Sequence, residues 1–149
     1  MGNSCSFLDV HIVFGIKQGG QPINTQWEQK LYTYIIGITQ NLGQKTLAIG
    51  GIEDHIHLFI CLKATMPVPE FVRKIKGSSS WWINKHQCTP SRFEWQRGYA
   101  AFSHSFSHRP KIIHYIKNQK KKHANISYEQ EYKTLLQLHN RPFKKEYLN

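Results

Sequence analysis

The sequence predicts an α+β fold: a four-stranded antiparallel sheet with helices on one face and additional C-terminal helices. Three observations carry this expectation. Apolar and polar residues alternate from Leu8 to Phe14, large apolar residues recur at helical spacing from Trp27 to Leu42, and the segments run strand, helix, strand, strand, helix, strand, then two helices. The 149 residues fit one domain, 1–149, and 40% hydrophobic with 13% aromatic residues supply a core, which excludes global disorder.

In the first segment the alternation places Leu8, Val10, Ile12 and Phe14 on one face and Asp9, His11 and Val13 on the other. Lys17 to Pro22 breaks it as a turn. Thr25 is the expected cap of a helix carrying Trp27, Leu31, Tyr34, Ile35, Ile38 and Leu42, with Gly43 just beyond its end. Lys45–Ile52 and His55–Leu62 read as two strands joined at Glu53-Asp54, although Gly50 and Gly51 weaken the first of them.

Pro67 and Pro69 open a helix with Val72, Ile75, Ser79 and Trp82 on one face and Arg73, Lys74 and Lys76 elsewhere. Tyr99 to Phe106 is the last strand, followed by helices over about Lys111–His123 and Tyr128–Leu138. The last ten residues, about 140–149, read as a basic tail, open between a solvated role and contact with nucleic acid. This order fits the ferredoxin-like plan, with the uncovered sheet face left for a ligand.

Twenty Lys and Arg oppose nine Asp and Glu, a formal charge of +11, which suits a partner rich in phosphate. An anionic membrane competes for that role, but no apolar run reaches the roughly 18 residues of a membrane span. Met1 to Cys5 carries no basic segment leading into an apolar stretch; Met1-Gly2 with Ser6 matches only a short, common myristoylation pattern. A cytoplasmic protein without membrane attachment is expected, and the odd, scattered Cys5, Cys61 and Cys88 agree with a reducing compartment.

Strand parity sends His55, His57 and Phe59 to one side, away from Ile56, Leu58 and Ile60. Imidazoles two residues apart stand about 6–7 Å from each other along a strand, near enough to reach one ion. The same spacing suits two surface or hydrogen-bonded histidines, and two ligands do not close a structural site. Tyr115 and Gln119 are four residues apart on one helical face, with His123 a turn further. Tyr115 is open between packing beside Ile112, Ile113 and Ile116 and acting as a nucleophile. A phenol of pKa about 10 attacks phosphorus only with proton removal or a cation nearby. His11 shares the open-face parity and is a candidate to orient a ligand or contact phosphate.

Asp54-His55-Ile56-His57-Leu58 and the stretch Tyr115-Ile116-Lys117-Asn118-Gln119 with Lys120 to His123, followed by Ser127 to Tyr132, resemble the small single-tyrosine, HUH-type transposases of bacterial insertion sequences. Val10 to Phe14, Phe71 to Gly77 and Phe93 to Tyr99 agree in the expected order, so the resemblance spans about residues 8–138. It implies a metal-dependent single-stranded DNA transposase that cleaves and rejoins hairpin-bearing ends. Tyr115 is then the nucleophile that forms a 5′-phosphotyrosine link, and His55, His57 and Gln119 hold Mg²⁺ or Mn²⁺. It further implies a homodimer whose tyrosine helices complete sites across subunits. The turn Lys17 to Gln21 departs from the more basic turn common in that family, which bears on DNA positioning rather than chemistry. Alternatives are a domesticated enzyme nicking repeated palindromes, a non-catalytic single-stranded nucleic-acid binder, and a phosphoesterase using water.

Overall fold

A computed structural model of the chain describes residues 6–148; the Met1-Gly2 pattern, Cys5 and the final Asn149 lie outside the described residues. The elements are β1 (Leu8–Gly15), α1 (Thr25–Asn41), β2 (Lys45–Ile52), β3 (His55–Leu62), α2 (Val68–Lys85), β4 (Ala100–His104), α3 (Arg109–Lys117), α4 (Gln119–Lys122) and α5 (Tyr128–Leu138). The strands form one sheet in the order β2-β3-β1-β4 with every neighbouring pair antiparallel, the ferredoxin-like arrangement.

Sheet parity divides the molecule. Val10, Ile12 and Phe14 of β1 and Ile56, Leu58, Ile60 and Leu62 of β3 bury themselves against Trp27, Leu31 and Ile35 of α1 and Phe71, Val72 and Ile75 of α2. Burial of each such side chain contributes about 1.5–3 kcal/mol before chain entropy is counted, so this layer anchors the fold. Among the described residues no helix is long and apolar enough to cross a membrane.

The opposite face is not open, as the sequence had suggested. Phe59 and Ala48 pack there against Ile116 of α3, and Val13, Ala100 and Phe102 against Tyr132, Leu135 and Leu136 of α5. The physical reason is that this face carries its own apolar residues beside the histidines, and the C-terminal helices exclude water from both. The terminal segment also folds back: Phe143, Tyr147 and Leu148 pack on the Tyr132 cluster, and Gln96 Nε2 donates to the Tyr147 carbonyl at 3.2 Å.

Local chemistry explains the remaining differences. Asn24, not Thr25, caps α1, its side chain accepting from the Gln26 amide at 2.8 Å. The single helix expected over 111–123 is broken between α3 and α4, because Asn118 leaves helical geometry (φ −103°, ψ 22°) and its side-chain amide donates to the His114 carbonyl at 2.7 Å. β4 is shorter than Tyr99–Phe106, starting only after Gly98 at φ 77°.

Gly50 is what lets the tyrosine-bearing helix reach the sheet. A Cβ there would lie 2.5 Å from the Ile116 carbonyl oxygen, so only glycine allows α3 to rest on β2. Gly50→Ala is expected to cost about 1–3 kcal/mol through overpacking. Urea denaturation checks this; an unchanged midpoint and slope would show that α3 is not seated against β2.

Candidate metal and tyrosine site

The centre is built from the face that the two-residue period of β3 assigns to His55 and His57. Both are fully buried rather than exposed to solvent. The β1 register opposes Gly15 to His55 and Val13 to His57. Gly15 has no room for a side chain, since a Cβ would stand 2.9 Å from the Tyr128 ring. That ring stacks on His55 with centroids 4.1 Å apart and planes 10° apart, which fixes the imidazole orientation.

A carboxylate from α5 occupies the middle. Ser127 and Gln130 form a reciprocal capping box that starts this helix, and one turn later Glu131 points inward with Tyr132, Leu135 and Leu136. Glu131 Oε1 lies 2.9 Å from His55 Nε2, 3.0 Å from His57 Nε2 and 2.9 Å from His123 Nε2. Its other oxygen, Oε2, accepts from Gln119 Nε2 at 2.8 Å and from the Tyr115 hydroxyl. Thus Tyr115, Gln119, His55 and His57 meet in one place, although α3 and α4 are separate helices. Gln119 Oε1 stands 3.1 Å from His55 Nε2, beside the metal-competent atoms.

The outer nitrogens of the histidines are committed elsewhere. His55 Nδ1 lies 2.6 Å from Asp54 Oδ1, a group that only accepts, so this nitrogen donates and Nε2 faces the centre. His57 Nδ1 shares a hydrogen bond with His11 Nε2 at 2.7 Å, which places the buried His11 behind the pair rather than on an open surface. His123 Nδ1 lies 2.8 Å from the Ile126 carbonyl oxygen.

Electrostatics follow from these contacts. Burial pushes the His57 imidazole down to about 4, more than the adjoining Glu131 raises it, so His57 is neutral and keeps a lone pair for a ligand. Burial lowers His55 too, but its bonds to Asp54 and Glu131 outweigh that and lift it above the ordinary value. Burial raises the Glu131 carboxyl; the hydrogen bonds and charge of His55 and His57 overcome it and hold the group ionised, far below the usual range. Tyr115 is pushed well above the ordinary phenol, by burial first and by the Glu131 charge second, so its proton is firmly held at rest.

The residues fit a divalent metal. His55, His57 and Glu131 each offer one ligand atom, all within 4.8 Å of one another, and two imidazole nitrogens with a carboxylate oxygen suit borderline ions. Sequence reading missed Glu131, and it left His123 without a role. The signal was an acid lying within the helical stripe of Tyr128, Tyr132 and Leu135, where burial of a charge requires partners.

Fold and site together define a class: a ferredoxin-like domain whose sheet presents paired histidines to a carboxylate and a helical tyrosine. The sequence profile described as "Transposase IS200 like" matches residues 4–119, and the chain belongs to that family, which makes it a DNA-processing transposase in kind. Among solved structures, a Deinococcus radiodurans R1 protein assigned as a transposase is similar at 22% identity and TM-score 0.63, over 80% of this chain and 95% of that one. A REP-associated tyrosine transposase bound to a REP hairpin is similar at 16% identity and TM-score 0.60, over 85% of this chain and 76% of that one. None of the curated proteins matches the chain.

Proposed function

We propose that the chain cleaves and rejoins single-stranded DNA at hairpin-bearing ends, with Tyr115 as the nucleophile and His55, His57 and Glu131 holding Mg²⁺ or Mn²⁺ beside Gln119. The observation that supports this best is that one carboxylate, Glu131, joins the Tyr115 hydroxyl on one oxygen to both β3 imidazoles on the other. A bound divalent cation supplies charge that polarises the scissile phosphate.

The residues of the chain divide the remaining work. Glu131 Oε2 accepts from the phenol and so aims the Tyr115 oxygen; held ionised, the carboxylate is too weak a base to keep the proton and only relays it as the Tyr115 oxygen bonds to phosphorus. The bond from phosphorus to the 3′ oxygen breaks, that oxygen gains the proton, and the 5′ phosphate stays on Tyr115. Because the phosphotyrosine bond conserves the energy of the broken ester, a 3′-OH can later attack it and rejoin DNA without ATP. Tyr128 stacking and the Asp54 and His11 hydrogen bonds keep the imidazoles oriented throughout.

The test is incubation of the protein with labelled hairpin oligonucleotides and Mg²⁺ or Mn²⁺, followed by a denaturing gel. A protein–DNA adduct is expected; free cleaved ends without an adduct would assign the attack to water. Hairpins with single-stranded flanks are expected to bind more tightly than matched blunt duplex, both weakening with salt. A second reading, nicking of repeated palindromes, is favoured by the REP hairpin bound to the similar tyrosine transposase.

The resemblance implies a homodimer with sites completed across subunits, but here Tyr115 reaches its own chain's Glu131 and lies with its ring 5.7 Å from that of its own His57. We therefore read each subunit of a homodimer as complete. Mixing Tyr115→Phe with His57→Ala protein is expected to restore no cleavage. Recovered cleavage would instead show that the tyrosine helix is exchanged.

A further inference from the structure

His123 follows Tyr115 and Gln119 at the same four-residue step, and the reaction proposed for the centre gives it no task. We propose that His123 is a third imidazole ligand of the metal, and that the nitrogen-rich set it completes selects Mn²⁺ or a later transition ion over Mg²⁺. The inference rests on the reading of His55, His57 and Glu131 as metal ligands.

Position is the first support. The His123 side chain is 2% exposed, and its Nε2 lies 2.9 Å from Glu131 Oε1, against 2.9 Å for His55 Nε2 and 3.0 Å for His57 Nε2. Imidazole nitrogens from β3 and from the end of α4 thus converge on a single oxygen atom. The rings of His55 and His123 pack edge to face with centroids 4.7 Å apart. The backbone that carries His123 is anchored as well. Its amide donates to the Gln119 carbonyl at 3.0 Å, and Lys120 Nζ donates to Glu28 Oε1 at 2.5 Å and to the Gly51 carbonyl at 3.2 Å.

The placement of protons is the second support. His123 Nδ1 faces the Ile126 carbonyl oxygen, which only accepts, so Nδ1 carries the hydrogen and in the neutral ring Nε2 keeps its lone pair. Metal-bound histidines are commonly oriented this way, by a hydrogen bond from the other ring nitrogen to a carbonyl or carboxylate. Opposite that lone pair stands the Glu131 carboxylate oxygen, which also only accepts. His55 presents the same conflict, because its Nδ1 donates to Asp54. Two acceptors at hydrogen-bond distance repel each other unless a proton or a cation lies between them. Protonating both rings would crowd two positive charges around one carboxylate in a buried site, whereas one divalent ion takes all the lone pairs together.

The donor set then decides the ion. Three nitrogens and a carboxylate oxygen suit Mn²⁺ and the later first-row ions, whose affinity rises with each imidazole. Mg²⁺ demands oxygen and keeps its waters, so it gains little from a third ring.

The experiment follows the imidazole nitrogens by ¹⁵N NMR while Zn²⁺, a diamagnetic probe, is added to the whole chain without DNA. The Nε2 signals of His55, His57 and His123 are expected to move together to the metal-bound range, while His123 Nδ1 keeps its proton. A His123 signal that stays in place while those of His55 and His57 move would overturn the third ligand and leave the metal centre standing. No movement of any of the three, with no heat of binding, would remove both. Calorimetric titration reads the selectivity. His123→Ala is expected to weaken Co²⁺ and Mn²⁺ binding about a hundredfold and Mg²⁺ binding by about threefold at most. His123→Gln, which fills similar space with an amide oxygen, should bring Mg²⁺ affinity back to the parent's level but not that of Co²⁺. Equal losses for all three ions in both variants, with a lowered melting temperature in the absence of metal, would assign His123 to the support of the fold and overturn the proposal.

Discussion

Tyr115→Phe protein is expected to fold, bind Mn²⁺ and bind hairpin DNA as the parent does, while forming no covalent adduct and cleaving no strand. The substitution removes one oxygen. Glu131 Oε2 keeps its hydrogen bond from Gln119 Nε2, so the buried carboxylate is not left without a donor and the stability change should be small. Loss of a nucleophile lowers turnover by roughly four to six orders of magnitude, to the limit of detection in a gel assay. An adduct at the parent's yield would reject the assignment. The next tyrosine to test is then Tyr128, whose ring stacks on His55, followed by Tyr132.

Glu131→Gln has the second large effect, on the metal. The amide keeps the shape but loses the charge, and one of its two ends can only donate where the carboxylate accepted from both sides. Mn²⁺ affinity, measured by calorimetric titration, is expected to fall by about two orders of magnitude or more, beyond the 10- to 100-fold typical of losing an outer-shell partner. Gln119→Ala should lose less, because a neutral amide oxygen is the weaker donor and water can replace it. The opposite ranking, with Glu131→Gln binding like the parent and Gln119→Ala binding nothing, would make Gln119 the third ligand that the family resemblance implies.

Tyr115→Phe removes only one partner of Glu131 Oε2, whereas Glu131→Gln alters both oxygens, so the first isolates the nucleophile and the second acts on metal and tyrosine together. His57→Ala belongs with the metal group: it removes a neutral buried imidazole, takes one of the three imidazole contacts from Glu131 Oε1 and leaves His11 Nε2 without its hydrogen bond.

What was legible in the sequence is what local physics decides. The two-residue period alone puts His55 and His57 on one face, because each strand residue alternates sides whatever it packs against. The strands Lys45–Ile52 and His55–Leu62 and the helix Tyr128–Leu138 appear where turn and capping residues place their ends. The four-residue spacing likewise brought Tyr115 and Gln119 to one site, even across the break at Asn118.

Tertiary structure decided what depends on distant partners. Glu131 lies 76 residues beyond His55, and nothing within its own helix says which imidazoles will neutralise it. The burial of the histidine face, the seating of α3 on Gly50 and the return of Tyr147 to Gln96 are all contacts between segments far apart in the chain. Periodicity tells each segment which side is apolar, but only the packed chain determines which apolar or charged side meets which, since that choice rests on shape and charge complementarity summed over the whole molecule.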